Sequence, residues 1–189
     1  MKGFKLVPFS QDNADRVLGW RNSEKIRSNM LDDSVIEDSA HKKFLAVLAE
    51  DDSMAYFVIE FKGAPVATIY FTGLGSDKVT WGCYIGSEKT IPGLFVAIVV
   101  IAVKYSFSLP TTRILRSEVA VYNSNPIKLN RFLGIPETSR FSRSTKTGRN
   151  VEFIEYRLTS EERNGVLAKA GKVMPSSVKQ SCEEFRLEK

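Results

Sequence analysis

Apolar positions along the chain fall into two periods, and the changes between them mark out its elements. Met54–Phe61, Val66–Thr72 and Lys78–Ile85 are short runs rich in β-branched and aromatic residues, separated by Lys62-Gly63 and by a loop at Gly73–Asp77. They predict three strands, the first two forming a hairpin. Phe4–Pro8 predicts a strand ahead of them. Helical spacing appears in Ala14, Val17 and Leu18, behind Asp12 or Asn13 as a cap and running to about Trp20. It returns in Ala40, Phe44, Val47 and Leu48 within a helix over Glu37–Glu50, whereas Arg21–Asp33 is polar and irregular. Ile91–Phe107 is rich in valine and isoleucine, yet its length and Pro92 predict a helix, and its all-round apolar surface predicts burial against a sheet. Arg113–Tyr122 then reads as a strand, Pro126–Leu133 as a helix stopped by Gly134, and Ile135–Arg143 with Asn150–Leu158 as a closing hairpin around Lys146-Thr147-Gly148. From Thr159 the chain is charged and weakly helical.

The expected fold is α/β of the α+β kind, a mostly antiparallel central sheet of about seven strands with helices on both faces. Residues 1–158 form the expected domain, and 159–189 an extension that is helical or partly disordered.

Composition narrows the chemistry. The 189 residues carry 27 basic and 22 acidic side chains, a net charge of +5, which suits anionic partners such as phosphorylated cofactors and nucleotides as well as an ordinary charged surface. The basic residues are dispersed apart from a run around Arg140–Arg149, with no nucleic-acid motif beside them, so nucleic acid is not the expected partner. One histidine, His41, and two distant cysteines, Cys83 and Cys182, give no metal-ligand spacing and no disulfide framework. No metal is expected. The N-terminus lacks a signal-peptide core, and the longest apolar run, Leu94–Val103, is too short to span a bilayer. A cytoplasmic protein without membrane contact is expected.

Four stretches carry candidate chemistry. In KVTWGCYIGSEKTIPGLF a strand with a central glycine runs through a turn into Pro92-Gly93 and the apolar helix. That order aims unpaired helix-terminal N–H groups at a strand end, an anion site, although an N-terminal proline in a plain turn looks the same. Gly82 suits a bulge. Cys83 shares a face with Val79, Trp81 and Ile85 and reads as a structural cysteine. In RILRSEVAVYN, Glu118 lies within an apolar strand, either as a general base or as a rim charge paired with Arg113 or Arg116. Next come Asn123-Ser-Asn125-Pro126 and Asn130, ahead of Gly134-Ile135. In the N-terminal half stand Trp20-Arg21-Asn22, Asn29-Met30 and His41, the last read as a packing residue.

These stretches, with Tyr56-Phe57-Val58-Ile59, Ile69-Tyr70-Phe71 and Trp81-Gly82-Cys83-Tyr84-Ile85, resemble the GNAT superfamily of N-acetyltransferases over about residues 4–158. The chain looks nearest the branch holding ribosomal-protein N-terminal acetyltransferases and the acetyltransferase of pseudaminic acid biosynthesis. The resemblance implies acetyl-CoA as co-substrate. Its pyrophosphate would be cradled by Pro92, Gly93, Leu94 and Phe95, its pantetheine arm and thioester held by the amides of Gly82, Cys83, Tyr84 and Ile85, and Asn123 would contact it too. Only Gly93 matches the family's small-residue loop signature, and Phe95 stands where a small residue is usual. Asn130 replaces the family's proton-donating Tyr and can hydrogen-bond a thiolate without titrating. Glu118 is the implied base, and Arg21, Met30 and Tyr70 the implied acceptor contacts. The implied reaction is direct acetyl transfer in a ternary complex to the amine of a nucleotide-linked amino sugar, with a homodimer possible. The alternatives are a protein N-terminal acetyltransferase and an inactive binding module of the same fold.

Overall fold

The computed structural model describes residues 3–183 and 185–187. Strands β1 (Phe4–Pro8), β2 (Met54–Phe61), β3 (Ala64–Thr72), β4 (Lys78–Ile85), β5 (Ile114–Ala120), β6 (Glu137–Ser144), β7 (Asn150–Thr159) and β8 (Arg186–Leu187) join in one sheet, ordered β6-β7-β5-β4-β3-β2-β1-β8. The eighth strand is the short β8, where about seven strands were expected. All pairings are antiparallel except β4–β5 and β1–β8. The β2–β3 hairpin turns at Lys62 and Gly63, both at positive φ (54° and 81°), the geometry that matches the twist of paired strands.

Helices α1 (Ala14–Asn22), α2 (Glu24–Arg27) and α3 (Asp38–Glu50) lie against one face of the sheet. The one-turn α2 occupies a segment expected to be irregular. Helices α4 (Leu94–Ser108), α5 (Ser124–Leu133), α6 (Arg163–Val173) and α7 (Ser176–Glu183) cover the other. The apolar stretch expected as a helix over Ile91–Phe107 is α4. It starts three residues late because Gly93 sits at φ +79°, a left-handed conformation no helix residue adopts, and serves as the cap. Pro92 therefore lies outside the helix. Pro126 lies inside the first turn of α5, where a missing N–H costs nothing because first-turn donors have no helical partner.

Helix α4 is the centre of the core: Ala97, Ile98, Ile101 and Ala102 are fully buried between the sheet and helices α6 and α7. Val166, Ala170, Val178 and Cys182 belong to the same apolar cluster, so residues 163–183 pack directly on α4. Residues 184, 188 and 189 of the expected extension lie outside the described residues.

Candidate active site

Strands β4 and β5 begin as parallel neighbours, with Lys78, Val79 and Thr80 opposite Ile114, Leu115 and Arg116. Beyond Thr80 and Arg116 no pairing continues, although β4 runs to Ile85 and β5 to Ala120. The sheet therefore splits into a wedge. Gly86 donates its N–H to Val66 O across β3–β4, and alternation then turns the Trp81, Cys83 and Ile85 backbone groups away from β3, toward the wedge. This is an exposed row of strand donors and acceptors inside the molecule.

A cavity of about 540 Å³ fills the wedge and reaches both faces of the sheet. On the α4 side it is bounded by Phe95 and Val99, one helical turn apart, and by Asn123, Asn125 and Asn130 of α5 and its cap. Among the described residues the first-turn N–H groups of Phe95 and Val96 take no backbone partner, so this mouth carries a helix terminus with its partial positive charge. Asn130 is buried in the wall of the cavity. On the opposite side the cavity is bounded by Tyr70, Met30, Leu31, Glu118 and Arg143.

Two close approaches shape it. A Cβ on Gly82 would sit 2.2 Å from Tyr70 Oη, so the glycine lets the tyrosine ring lie flat across β4. A Cβ on Gly86 would meet the Trp20 ring at 1.9 Å, which seats α1 on the end of the same strand. The loop bearing Met30 and Leu31 is tied to the β6–β7 hairpin. Lys146 N–H donates to Leu31 O (3.1 Å), Arg149 to Ser28 O (2.9 Å), and Thr147 to both oxygens of Asp33 (3.1 and 2.6 Å). The hydrogen bond from the Thr147 side chain, with its backbone N–H, holds the Asp33 carboxyl down to about 2.

Glu118 belongs to a charge ladder on this outer face. It accepts hydrogen bonds from Arg116 and from Nη1 and Nη2 of Arg143 (2.8 and 3.2 Å). Arg116 also donates to Glu155, which receives Arg157 (2.6 Å) and Thr138 (3.1 Å) as well. Burial pushes the Glu155 carboxyl up, but these donors outweigh it and hold it below its ordinary value. Burial pushes the Cys83 thiol up to about 12, so it stays protonated near neutrality and is no nucleophile.

Gly82, Cys83, Tyr84, Ile85, Phe95, Asn123, Glu118, Asn130, Met30 and Tyr70 thus come together around one cavity. Three of the expected cofactor residues are placed elsewhere. Leu94 is buried in the core (3% exposed), Pro92 points to solvent, and Gly93 abuts Pro175, whose Cδ would lie 2.7 Å from an added Cβ. Of the three, only Gly93 has a backbone N–H left to offer an anion, because Pro92 has none and that of Leu94 donates to Ile91 O. Arg21 lines a second cavity beyond Tyr70. Asn125, part of the stretch singled out in the sequence, also lines the cavity, whereas Val99 and Arg143 escaped notice. Val99 was discoverable from its four-residue spacing to Phe95. Arg143 had no local signal, because only the β6–β7 register brings it to Glu118.

No protein-family model and no curated protein matches the sequence. Solved structures do match. The spermidine N-acetyltransferase of Vibrio cholerae, in complex with CoA and spermine, superposes with a TM-score of 0.78 at 14% identity, over 87% of this chain and 99% of that one. RimJ of Mycobacterium smegmatis, with CoA-disulfide, gives 0.69 at 15% identity over 85% and 86%. AAC(6')-Ib with ribostamycin and coenzyme A gives 0.70 at 12% over 86% and 96%. The chain has the GNAT fold that these acetyltransferases share.

Proposed function

We propose that the chain is an acetyl-CoA-dependent N-acyltransferase, and the observation that carries the reading is the wedge between β4 and β5, open to both faces of the sheet with a helix N-terminus at one mouth. Two substrates can enter from opposite sides and meet inside it. The residues fit an acyl-CoA: the Phe95 and Val96 N–H groups suit a phosphate, the odd-numbered β4 amides suit a pantetheine arm, and the side-chain amide of Asn130, in the cavity wall, suits a sulfur atom. Acetyl-CoA supplies an activated acyl group as a thioester. The chain's own part is to hold the acceptor amine at the Tyr70–Met30 side, to take its proton, and to steady the departing thiolate.

Glu118 is the carboxylate placed for the proton. Arg143, itself half exposed, leans over it from β6 and is the partner a bound amine displaces. Asn130 donates to the thiolate, which as a fair leaving group needs no proton from the protein. The preferred acceptor is a nucleotide-linked amino sugar, for which the +5 charge and the arginine-bearing, tyrosine-walled acceptor side speak. The nearby structures carry polyamine and aminoglycoside ligands, both cationic. The arginines beside the cleft favour an acceptor of the opposite sign.

Calorimetry with acetyl-CoA tests the reading, followed by thiol release on adding a UDP-amino sugar, spermine or a peptide with a free N-terminus. Binding with release driven by the amino sugar supports it. Release driven by the peptide supports protein N-terminal acetylation. No binding at millimolar acetyl-CoA leaves a non-catalytic module of this fold.

A further inference from the structure

Behind Tyr70, on the α1–α3 side, lies a second cavity of about 280 Å³ that shares Met30, Leu31, Tyr70 and Tyr84 with the first. Its walls are aromatic. Tyr56 stacks on Tyr70 at 5.1 Å and 15°, and Phe44 meets Tyr56 edge-on at 5.0 Å. Among the described residues only six buried side-chain polar atoms lack a hydrogen-bond partner, and three of them, Arg21 Nη1, His41 Nε2 and Thr68 Oγ1, belong to residues that line this one cavity. His41 and Thr68 are 6% and 1% exposed. Thr68 Oγ1 stands beside the Tyr84 hydroxyl without meeting it in hydrogen-bond geometry. Buried polar atoms are almost always paired, so three orphans on residues around one largely aromatic cavity point to a ligand that completes them.

Charge selects the ligand. Arg21 donates to the backbone oxygen of Asp32 and forms no ion pair among the described residues. Asp32 lines the same cavity and its carboxylate acts on Arg21, but its oxygens are engaged by Ser34 and Lys146. Burial lowers the Arg21 pKa, the mark of a guanidinium short of counter-charge. Arg27, whose charge also bears on Arg21, repels it further.

We propose that the second cavity holds the non-reacting end of the acceptor, and that this end is an oxyanion on a flat apolar body, the oxyanion bound by Arg21 and the body packed on Tyr56 and Tyr70. This rests on the acyltransferase reading for the word acceptor, while the binding itself is independent of acetyl-CoA. Two sources share the chemistry, a carboxylate and a phosphate ester.

Benzoate, phenyl phosphate and neutral benzamide, titrated into the full chain without acetyl-CoA and followed by ligand-observed NMR, test it. One or both anions should bind about tenfold or more tightly than benzamide, the scale of a charge-assisted hydrogen bond. The tighter of the two identifies the source. Arg21→Met should abolish that preference while acetyl-CoA still binds, and the isosteric Thr68→Val should weaken it severalfold. If Arg21→Met does not fold, the wild-type preference and its severalfold weakening in Thr68→Val decide. Equal binding of benzamide, or no binding of any probe by a protein that binds acetyl-CoA, overturns the proposal. Anion binding by a chain that fails to bind acetyl-CoA upholds the site and overturns the acyltransferase reading instead.

Discussion

Replacing Gly82 by alanine is a single-methyl change with an outcome set by geometry. The new Cβ would lie 2.2 Å from Tyr70 Oη, 2.3 Å from Cζ and 2.7 Å from Cε1. Ordinary carbon contacts are about 3.5–4.0 Å, so the ring must retreat by more than an ångström. It has little room, because Tyr56 is stacked on it and Phe44 is wedged against Tyr56. Overpacking of this kind costs about 1–3 kcal/mol. In a chain of this size each kcal/mol lowers the melting temperature by about 2–4 °C, so Gly82→Ala should melt about 2–12 °C below wild type. Tyr70→Phe cannot rescue it, since Cζ remains. Tyr70→Ala removes the whole ring and should erase the increment. Circular-dichroism melts of the wild type, both single variants and the double variant close the cycle, with a coupling of about 1–3 kcal/mol expected. An equal drop from Gly82→Ala in both backgrounds, or a melt within about a degree of wild type, refutes the argument that Tyr70 is held over this glycine.

Phe95→Ala widens the α4 mouth without touching the main core, so calorimetry should show acetyl-CoA binding at least as tight as in wild type; weaker binding would make the ring a cofactor contact rather than an obstruction. Glu118→Gln should lower turnover about a hundredfold or more at neutral pH, with the deficit shrinking as pH rises and the free amine accumulates; a near-normal rate would leave Glu118 as a structural partner of Arg116 and Arg143. Glu155→Gln bears on acid stability. The folded-state pKa of Glu155 lies below its ordinary 4.5, so its contribution is present above about 4.5 and is lost as pH falls through the folded value. Urea titrations should show the widest gap between wild type and variant near neutrality, closing in acid, and a gap independent of pH would dissociate Glu155 from the arginine ladder.

Elements written in local pattern were legible before the structure. The period-2 runs around Tyr70 and Gly82, the Lys62-Gly63 turn and the apolar α4 all follow from spacing and turn chemistry. So does the convergence of Gly82 and Phe95, because a strand-turn-helix order dictates which ends meet, whereas Asn130 was placed at the site by the family resemblance alone. What stayed hidden depends on long-range register. Arg143 reads as one charge in a basic run until β6 is aligned on β7. His41 reads as helix packing, and its partnership with Arg21 and Thr68 across one cavity is decided by how α1 and α3 lie on the sheet. The left-handed Gly93 was masked by Pro92, whose usual place at the first helical position drew the boundary too early. β8 is two residues long, too short for any period to show.

That two-residue strand has a bearing on how the molecule assembles. β8 pairs in parallel with Lys5 and Leu6 of β1, so a hydrogen-bonded ladder joins positions separated by nearly the whole sequence. Lys104 is tied likewise to the Cys182 carbonyl at 3.0 Å, and Gly93 is held under Pro175. Contacts of such separation require closure of the longest loops in the chain, and loop closure slows folding more than it limits stability. During synthesis the outer edge of β1 lacks β8, and the Gly93 turn lacks Pro175, until the last part of the chain has emerged.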